Sequence, residues 1–419
     1  MIRFIHTSDV HLDSPLKGLQ SYDGAPVDTL RSATRRAFEN LVQLAIDEDV
    51  NFVLIAGDLY DGDWKDYSTG LFFRGQMVKL RNKGIPVYIV AGNHDAASVI
   101  SKKLTLPENV HIFSTRTTES IEVAENPVVI HGRGFPNRAV PENIAKDYPV
   151  AVPDRFNIGL LHTSLTGRTG HDTYAPCLET DLRQKGYDYW ALGHVHQPEV
   201  ISQEPWIVFS GNCQGRDIRE SGERGCFLVT LNDSLDVERV DWQNLDVVRW
   251  QMLEIDLAGI TEESEVLSLV SQAIISALNK AEGRLIAARV LFKGATHLHG
   301  SLHRETYRWR AEILGIAQEQ GEDDIWIEQI KVLTTPIYDL AQLAERDPLT
   351  KIVLETIDNA NIQPENLPYE IKDMLGILPN EIQREIEYDL TKEDNSSFLL
   401  KDVRAIILDA LGTKGVTGA

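Results

Sequence analysis

Short apolar runs alternate with amphipathic stretches through the first half of the chain. Ile2 to Ile5, Phe52 to Ala56, Pro86 to Ala91, Phe156 to Leu161 and Tyr187 to Leu192 are the main runs. Their length and continuity predict strands buried in a core. Between Val27 and Ile46, Leu30, Ala37, Phe38, Leu41, Leu44 and Ala45 recur at helical spacing, with Arg31, Arg35 and Arg36 interleaved. That pattern predicts an amphipathic helix. Tyr67 to Leu80 predicts another, ended near Gly84-Ile85-Pro86. Strand–helix–strand units of this kind imply an α/β layered domain. Short strands are expected from Val110 to His131, and strands and turns from Trp206 to Val240.

The pattern changes near Val247. Val248 to Ile255 predicts a strand, and Thr261 to Ala281 a helix with Thr261 as its N-cap and Glu262, Glu263 and Glu265 in its first turn. Leu285 to Phe292 predicts a strand, Leu302 to Ala317 a helix and Ile325 to Val332 a strand. This order suggests a small α+β domain closed at Thr335-Pro336. From Ile337 to Leu411 the chain predicts short helices broken at Pro348, Pro364, Pro368 and Pro379. The expected organisation is therefore a first domain over 1–246, a second over 247–335 and a helical region over 336–419.

Composition narrows the class. A chain of 419 residues, 42% hydrophobic and 25% charged, is ordinary for a multidomain globular protein. Cys177, Cys213 and Cys226 are too few and too scattered for a disulfide frame or a thiolate zinc site. No run has transmembrane length, and the start has no long apolar segment, so a reduced, cytoplasmic protein with no membrane partner is expected. The formal net charge is −22, with −9 over residues 1–250 and −13 over the shorter remainder. Such a chain does not attract nucleic acid through its overall field. Nine of the twelve histidines lie before residue 200, which directs attention to the first domain.

Five of the apolar runs lead into the same kind of residue. They are followed by Asp9-Val10-His11, Gly57-Asp58, Gly92-Asn93-His94-Asp95, His162 and Gly193-His194-Val195-His196. Sites in open α/β sheets lie outside the carboxyl ends of the strands. Gathered there, these nitrogen and carboxylate donors suit manganese, iron or zinc rather than calcium. The set is large enough for two metals sharing one carboxylate, with Asp58 as the natural bridge. Asp9, His11 and His196 could complete one shell, and Asn93, His162 and His194 the other. His94 is then left over as a general acid, with Asp95 beside it to orient it. Two ionised ligands against two divalent cations leave a charge of about +2, which attracts phosphate. Phosphoester hydrolysis follows.

These motifs resemble the full set of the calcineurin-like metallophosphoesterases. "HTSDVHLDSP", "GDLYD" and "LLHTSLTGRTGHDTYAPC" further resemble the DNA repair exonucleases of the SbcD/YhaO type, and the likeness extends weakly from "ARVLFKGATHLHGSLHR" to "IWIEQIKVLTTP". The resemblance implies an α/β four-layer β-sandwich flanked by helices, capped by a small α+β domain that helps hold DNA. It implies a nuclease with two divalent ions, manganese foremost. It also implies an SbcC-like coiled-coil ATPase partner held by the C-terminal helices, and a homodimer. Where some nucleases of this group have a histidine three residues after the bridging Asp, this chain has Asp61, so exonucleolytic and endonucleolytic action both stay open.

Other residues carry two readings each. Arg304, Arg308 and Arg310, interleaved with Tyr307 and Trp309, could grip a phosphate backbone or form a solvated helix face. Arg216, Arg219 and Arg224 could line a DNA path or pair with Asp217, Glu220 and Glu223. Arg168 and His171 could reach the site or stabilise their loop. His6 is expected to be packed. The expected activity is DNA cleavage; the alternatives are a small-nucleotide phosphoesterase on the same site and a scaffold that binds without cutting.

Overall fold

The computed structural model describes residues 1–14, 24–61, 67–97, 105–165 and 174–337, with residues 348, 351–352 and 355–356. Arg168, His171 and nearly all of the expected C-terminal helices lie outside the described residues. The chain divides into two compact units, with the break between Trp250 and Gln251.

The first unit opens with β1 (Ile2–Thr7), α1 (Val27–Asp47), β2 (Phe52–Ile55), α2 (Tyr67–Arg81) and β3 (Val87–Ile89). It continues through β4 (Val110–Ile112), β5 (Glu119–Glu122), β6 (Val128–Gly132), β7 (Phe156–His162), α3 (Glu179–Arg183) and β8 (Tyr189–Gly193). Then follow β9 (Glu199–Gln203), β10 (Trp206–Phe209), β11 (Gly225–Leu231) and β12 (Val237–Asn244). The strands form two six-stranded sheets, in the orders β12-β11-β1-β2-β3-β4 and β5-β6-β7-β8-β10-β9. Strands β1 to β4 run parallel, as do β6, β7, β8 and β10.

Side chains on the two sides of a strand explain the layers. Phe4, Phe52, Leu54 and Tyr88 pack with Ile130, Ile158, Tyr189 and Val208 between the sheets. Their neighbours Ile5, Val53, Ile55 and Val87 pack on the opposite face against Phe38, Leu41, Phe73 and Met77 of α1 and α2. Trp190, Leu192, Ile207 and Phe209 do the same with Ile144 and Leu182 outside the second sheet. The result is helix, sheet, sheet, helix: a four-layer α/β sandwich. Strands covered on both faces need apolar residues at most positions, which is why they appear as near-continuous runs. Phe4 stacks on Phe52 at 4.9 Å and meets Tyr189 edge-on at 5.4 Å, tying one sheet to the other.

His6 is packed, as its sequence context predicts. It is fully buried, with Nδ1 3.0 Å from the Tyr189 hydroxyl and Nε2 3.2 Å from the Leu192 carbonyl. A carbonyl only accepts, so Nε2 carries the proton. Burial pushes this imidazole down to about 3. The unfolded chain therefore takes up a proton below about pH 6.5 that the folded chain refuses. The stability His6 confers is full above that pH and is lost as pH falls toward 3, on the order of 2 kcal/mol by pH 5. Urea melts of wild type and His6→Gln between pH 6.5 and 5 should show a shallower decline in the variant; parallel declines contradict this.

The second unit contains most of β13 (Val248–Asp256), then α4 (Glu263–Ala281), β14 (Leu285–Thr296), α5 (His299–Arg304), α6 (Thr306–Gly321) and β15 (Ile325–Pro336). The three strands form one sheet in that order, with β14 and β15 parallel. Val266, Val270, Ile274, Trp309 and Ile313 of the helices pack on Ile286, Val290, Phe292 and Ile327. Two expectations need correction. Thr261 is not a cap: α4 begins at Glu263, and Glu263 and Glu265 place negative charge in its first turn. The single helix expected from Leu302 to Ala317 is two helices broken at Glu305. Among the described residues no helix is long and apolar enough to cross a membrane.

Candidate metal centre

The parallel strands of both sheets deliver their following loops to one place. Asp9 and His11 follow β1, Asp58 follows β2, and Asn93 and His94 follow β3; His162 ends β7, and His194 and His196 follow β8. The loops after β1 and β2 continue the strand pairing. The Asp9 N–H donates to the Gly57 carbonyl (2.9 Å), His11 N–H to Asp58 (3.0 Å) and Leu12 N–H to Leu59 (3.0 Å). Asp9, His11, Asp58 and His194 all have left-handed backbone, at φ of 49°, 46°, 51° and 100°. Each such residue costs about 1–3 kcal/mol and persists only where its surroundings hold it. Two glycines permit the close approach. A Cβ on Gly193 would run into the Ala56 carbonyl, and one on Gly92 into the Asp58 carboxylate and, at 2.7 Å, the Asp58 amide nitrogen.

Hydrogen bonds at the rear of the histidines decide what their front atoms offer. His162 Nδ1 lies 2.9 Å from the Ala56 carbonyl, so it donates and Nε2 is left with a lone pair. His196 Nδ1 lies 2.6 Å from the Glu220 carboxylate, which again places the proton on Nδ1 and the lone pair on Nε2. His196 Nε2 faces His11 Nε2 at 3.3 Å and Asp9 Oδ1 at 3.6 Å. His162 Nε2 faces Asp58 Oδ2 at 3.6 Å and Asn93 Oδ1 at 2.9 Å. The His194 ring lies 5.3 Å from that of His162. Asp9 Oδ1 and His11 Nδ1 are buried without a hydrogen-bond partner.

Ligand atoms of Asp9, His11 and His196 fall within 4.8 Å of one another, as do those of Asp9, Asp58 and His162. Lone pairs facing carboxylate oxygens repel unless a cation lies between them. The electrostatics agree. Burial, then the charges of Asp9 and Asp95, push the Asp58 carboxyl well above its usual range. Burial opposes the Asp9 charge too, but His196 and His162 outweigh it and hold that carboxyl low. Burial and then Arg216 push His11 well below its ordinary value, leaving a neutral ring fit to ligate. The donor set fits divalent cations with mixed nitrogen and oxygen coordination.

His94 and His196 are the more open members, with side chains 29% and 25% exposed. His94 Nε2 lies 4.0 Å from Asp58 Oδ2, and its Nδ1 lies 2.8 Å from Asp61 Oδ1. Asp95, expected to orient His94, does something else. Its carboxylate accepts the N–H groups of Leu59 (3.2 Å), Tyr60 (2.9 Å) and Gly92 (3.1 Å), locking the loops after β2 and β3 together. Asp61 takes the orienting place, steadied by Ser14 Oγ at 2.6 Å. Burial acts against the Asp61 charge, but bonds from His94 and Ser14 carry its carboxyl down to about 2. Burial pulls His94 down, and the Asp61 bond and the Asp58 charge raise it above its ordinary value.

Glu220 carries no site signal in the sequence beyond its place in an arginine-rich run. Arg216, expected on a DNA path, is committed to it: Nη2 donates to Glu220 Oε1 (2.8 Å), and Nη1 lies 4.0 Å from Asp61 Oδ2. Burial opposes the Glu220 charge, but His196 and Arg216 hold its carboxyl far below the usual range. The other arginines are also engaged. Arg219 pairs with Asp217 at 2.7 Å, and Arg224 donates to the carbonyls of Glu220, His196 and Ser221. In the second unit, Arg304 and Arg308 do not share one helix, because the break at Glu305 separates them and Glu305 pairs with both. Arg308 also reaches Glu263 at 2.7 Å and lies over the Trp309 ring. Trp309 is buried in the core of its unit, whereas Tyr307 is exposed; Arg310 is part-buried on α6.

Comparison with known proteins gives two family matches. The calcineurin-like phosphoesterase family matches residues 2–198, and the middle domain of metallophosphoesterase YhaO matches residues 250–335. The uncharacterized metallophosphoesterase YhaO of Bacillus subtilis is 30% identical over 365 residues, covering 86% of this chain and 88% of that protein. The DNA double-strand break repair protein Mre11 of Haloferax volcanii is 28% identical over 263 residues, covering 62% of this chain and 56% of that protein. The crystal structure of a dimetal phosphatase from Danio rerio covers 58% of this chain and 99% of its own, at 11% identity and a TM-score of 0.34.

Proposed function

The chain belongs to the calcineurin-like metallophosphoesterase family and is of the YhaO type, and from that premise we propose that it is a divalent-metal phosphodiesterase that cuts DNA. One observation carries the reading. Unpaired Asp9 Oδ1 and the lone pairs of His162 and His196 converge beside a histidine, His94, tethered by Asp61. Asp9, His11 and His196 would hold one ion, Asn93, His162 and His194 the other, and Asp58 both. When bound, two such ions lower the pKa of a shared water and stabilise charge on phosphoryl oxygens. Manganese suits this mixed donor set.

The protein supplies the remaining steps. Asp61 fixes the His94 ring through Nδ1, which leaves Nε2 facing the Asp58 side of the site. Against burial, the Asp61 bond and the Asp58 charge raise the affinity of His94 for a proton. His94 can pass that proton to a departing sugar oxygen, a leaving group too basic to depart unaided. DNA as substrate is supported by the Haloferax relative, whose name places it in double-strand break repair. We include in the proposal a coiled-coil ATPase docked on residues 336–419, which would supply DNA affinity that a chain of net charge −22 lacks.

A second reading is hydrolysis of small nucleotides on the same site. It is favoured by the pairing of Arg216, Arg304 and Arg308 with carboxylates, which occupies the cations expected to track a polyanion. Incubation with manganese and either labelled duplex DNA or mononucleotide diesters separates the readings. Duplex cleavage that falls by about 100-fold or more in His94→Ala is expected. Turnover of mononucleotide diesters alone supports the second reading, and turnover of neither contradicts both. Capture of a coiled-coil ATPase by the full chain, but not by one ending at residue 347, tests the partner.

A further inference from the structure

The contacts of Glu220 extend beyond a simple ion pair. It sits in a short turn of 3-10 helix, Ile218–Glu220, and its residue is 9% exposed. Oε1 accepts from His196 Nδ1 at 2.6 Å and from Arg216 Nη2 at 2.8 Å. Oε2 accepts from Asn212 Nδ2 at 2.9 Å, the Arg216 backbone N–H at 2.8 Å and Arg216 Nε at 3.3 Å. Both oxygens are thus held by several donors, and the carboxylate cannot rotate without breaking them. Arg216 Nη2 also lies 3.2 Å from His196 Nδ1. Two donors cannot bond to each other, so the guanidinium bonds to Glu220 and the Nδ1 proton stays with the carboxylate.

We propose that Glu220 is the positioning residue for one half of the metal centre: it fixes the tautomer and ring angle of His196 so that Nε2 is presented to the ion shared with Asp9 and His11. In the other half, His162 Nδ1 bonds the Ala56 carbonyl. His196 and His162 therefore depend on different supports, one ionic and removable by side-chain substitution, the other built into the backbone. Partners behind a metal-ligating histidine typically contribute 10- to 100-fold in metal affinity. Loss of Glu220 should fall on one ion and spare the other. The inference rests on the proposed dinuclear site and adds an asymmetry to it.

The test is a manganese titration of the full metal-free chain by calorimetry, for wild type, Glu220→Gln and Glu220→Ala, with melting temperatures of the metal-free proteins. Glutamine keeps the shape and an acceptor oxygen while removing the charge, so it serves if the alanine variant fails to fold. The expected result is two equivalents in wild type. In Glu220→Gln one of them should weaken by about 10- to 100-fold while the other holds within about threefold. Nitrogen-15 spectra of the metal-free wild type should show the His196 proton on Nδ1. Equal weakening of both equivalents, or none in Glu220→Gln, overturns the role of Glu220. Failure of wild type to bind two equivalents overturns the dinuclear site itself, so the two failures are distinguishable.

Discussion

Replacing Asp58 with asparagine should lower phosphodiester hydrolysis by about 1000-fold or more, because several kcal/mol of charge stabilisation is lost at about 1.4 kcal/mol per factor of ten. Asp58 is the carboxylate placed to serve both ions. Its Oδ2 faces His162, and its Oδ1 accepts the His94 backbone N–H at 2.9 Å. Asparagine can keep that backbone bond through its carbonyl oxygen, so the loop after β3 need not move. What it removes is a buried negative charge set against those of Asp9 and Asp95. In metal-free protein that charge is a burden, so the metal-free variant should melt no lower than wild type. Thermal melts with and without manganese check this: stabilisation by the metal should shrink sharply in the variant. A variant that melts well below wild type without metal, or keeps its activity, contradicts the bridging role.

Replacing His94 with alanine should cost about 100- to 10,000-fold for DNA, the span usual for loss of a general acid. The loss should depend on the leaving group. A sugar oxygen needs a proton to depart; a nitrophenolate does not. A nitrophenyl phosphodiester, if turned over, should therefore lose far less than DNA in the same variant. His94 is also the ring that Asp61 holds at 2.8 Å, so Asp61→Asn should show the same leaving-group pattern in weaker form. Rates for both substrates across wild type, His94→Ala and Asp61→Asn provide the check. Equal losses on both substrates would mean that His94 acts on binding or on the ions and not on the leaving group.

The strands were legible where both faces are buried. β2 and β8 appear as unbroken apolar runs, and β1 and β7 as runs interrupted by Arg3 and Asn157, because Phe4 and Ile5, or Phe52 and Val53, each face a different core. The break at Glu305 is silent in the pattern from Leu302 to Ala317, because periodicity does not register a carboxylate that bonds two arginines across a turn. Glu305 pairs with Arg304 on one side and Arg308 on the other, at the break. The residues expected at the metal centre share a simple signal, polar donors at the ends of apolar runs, and the structure brings them together. The supports behind them had no such signal. Asp95 adjoins His94 in the chain yet bonds three backbone amides, while Asp61 reaches His94 from the loop after β2. Glu220 reaches His196 from 24 positions away. Proximity in sequence fails for these pairs because backbone direction, not spacing, decides which carboxylate faces which ring.

The most direct measurement is anomalous scattering at the manganese edge from crystals of the full chain grown with manganese. Two peaks about 3.5–4 Å apart, one on either side of the Asp58 carboxylate, are predicted from the two-metal arrangement. One should be ligated by Asp9, His11 and His196, and the other by Asn93, His162 and His194. A single peak, or none among these residues, in crystals of protein that still hydrolyses phosphodiesters would contradict the dinuclear centre.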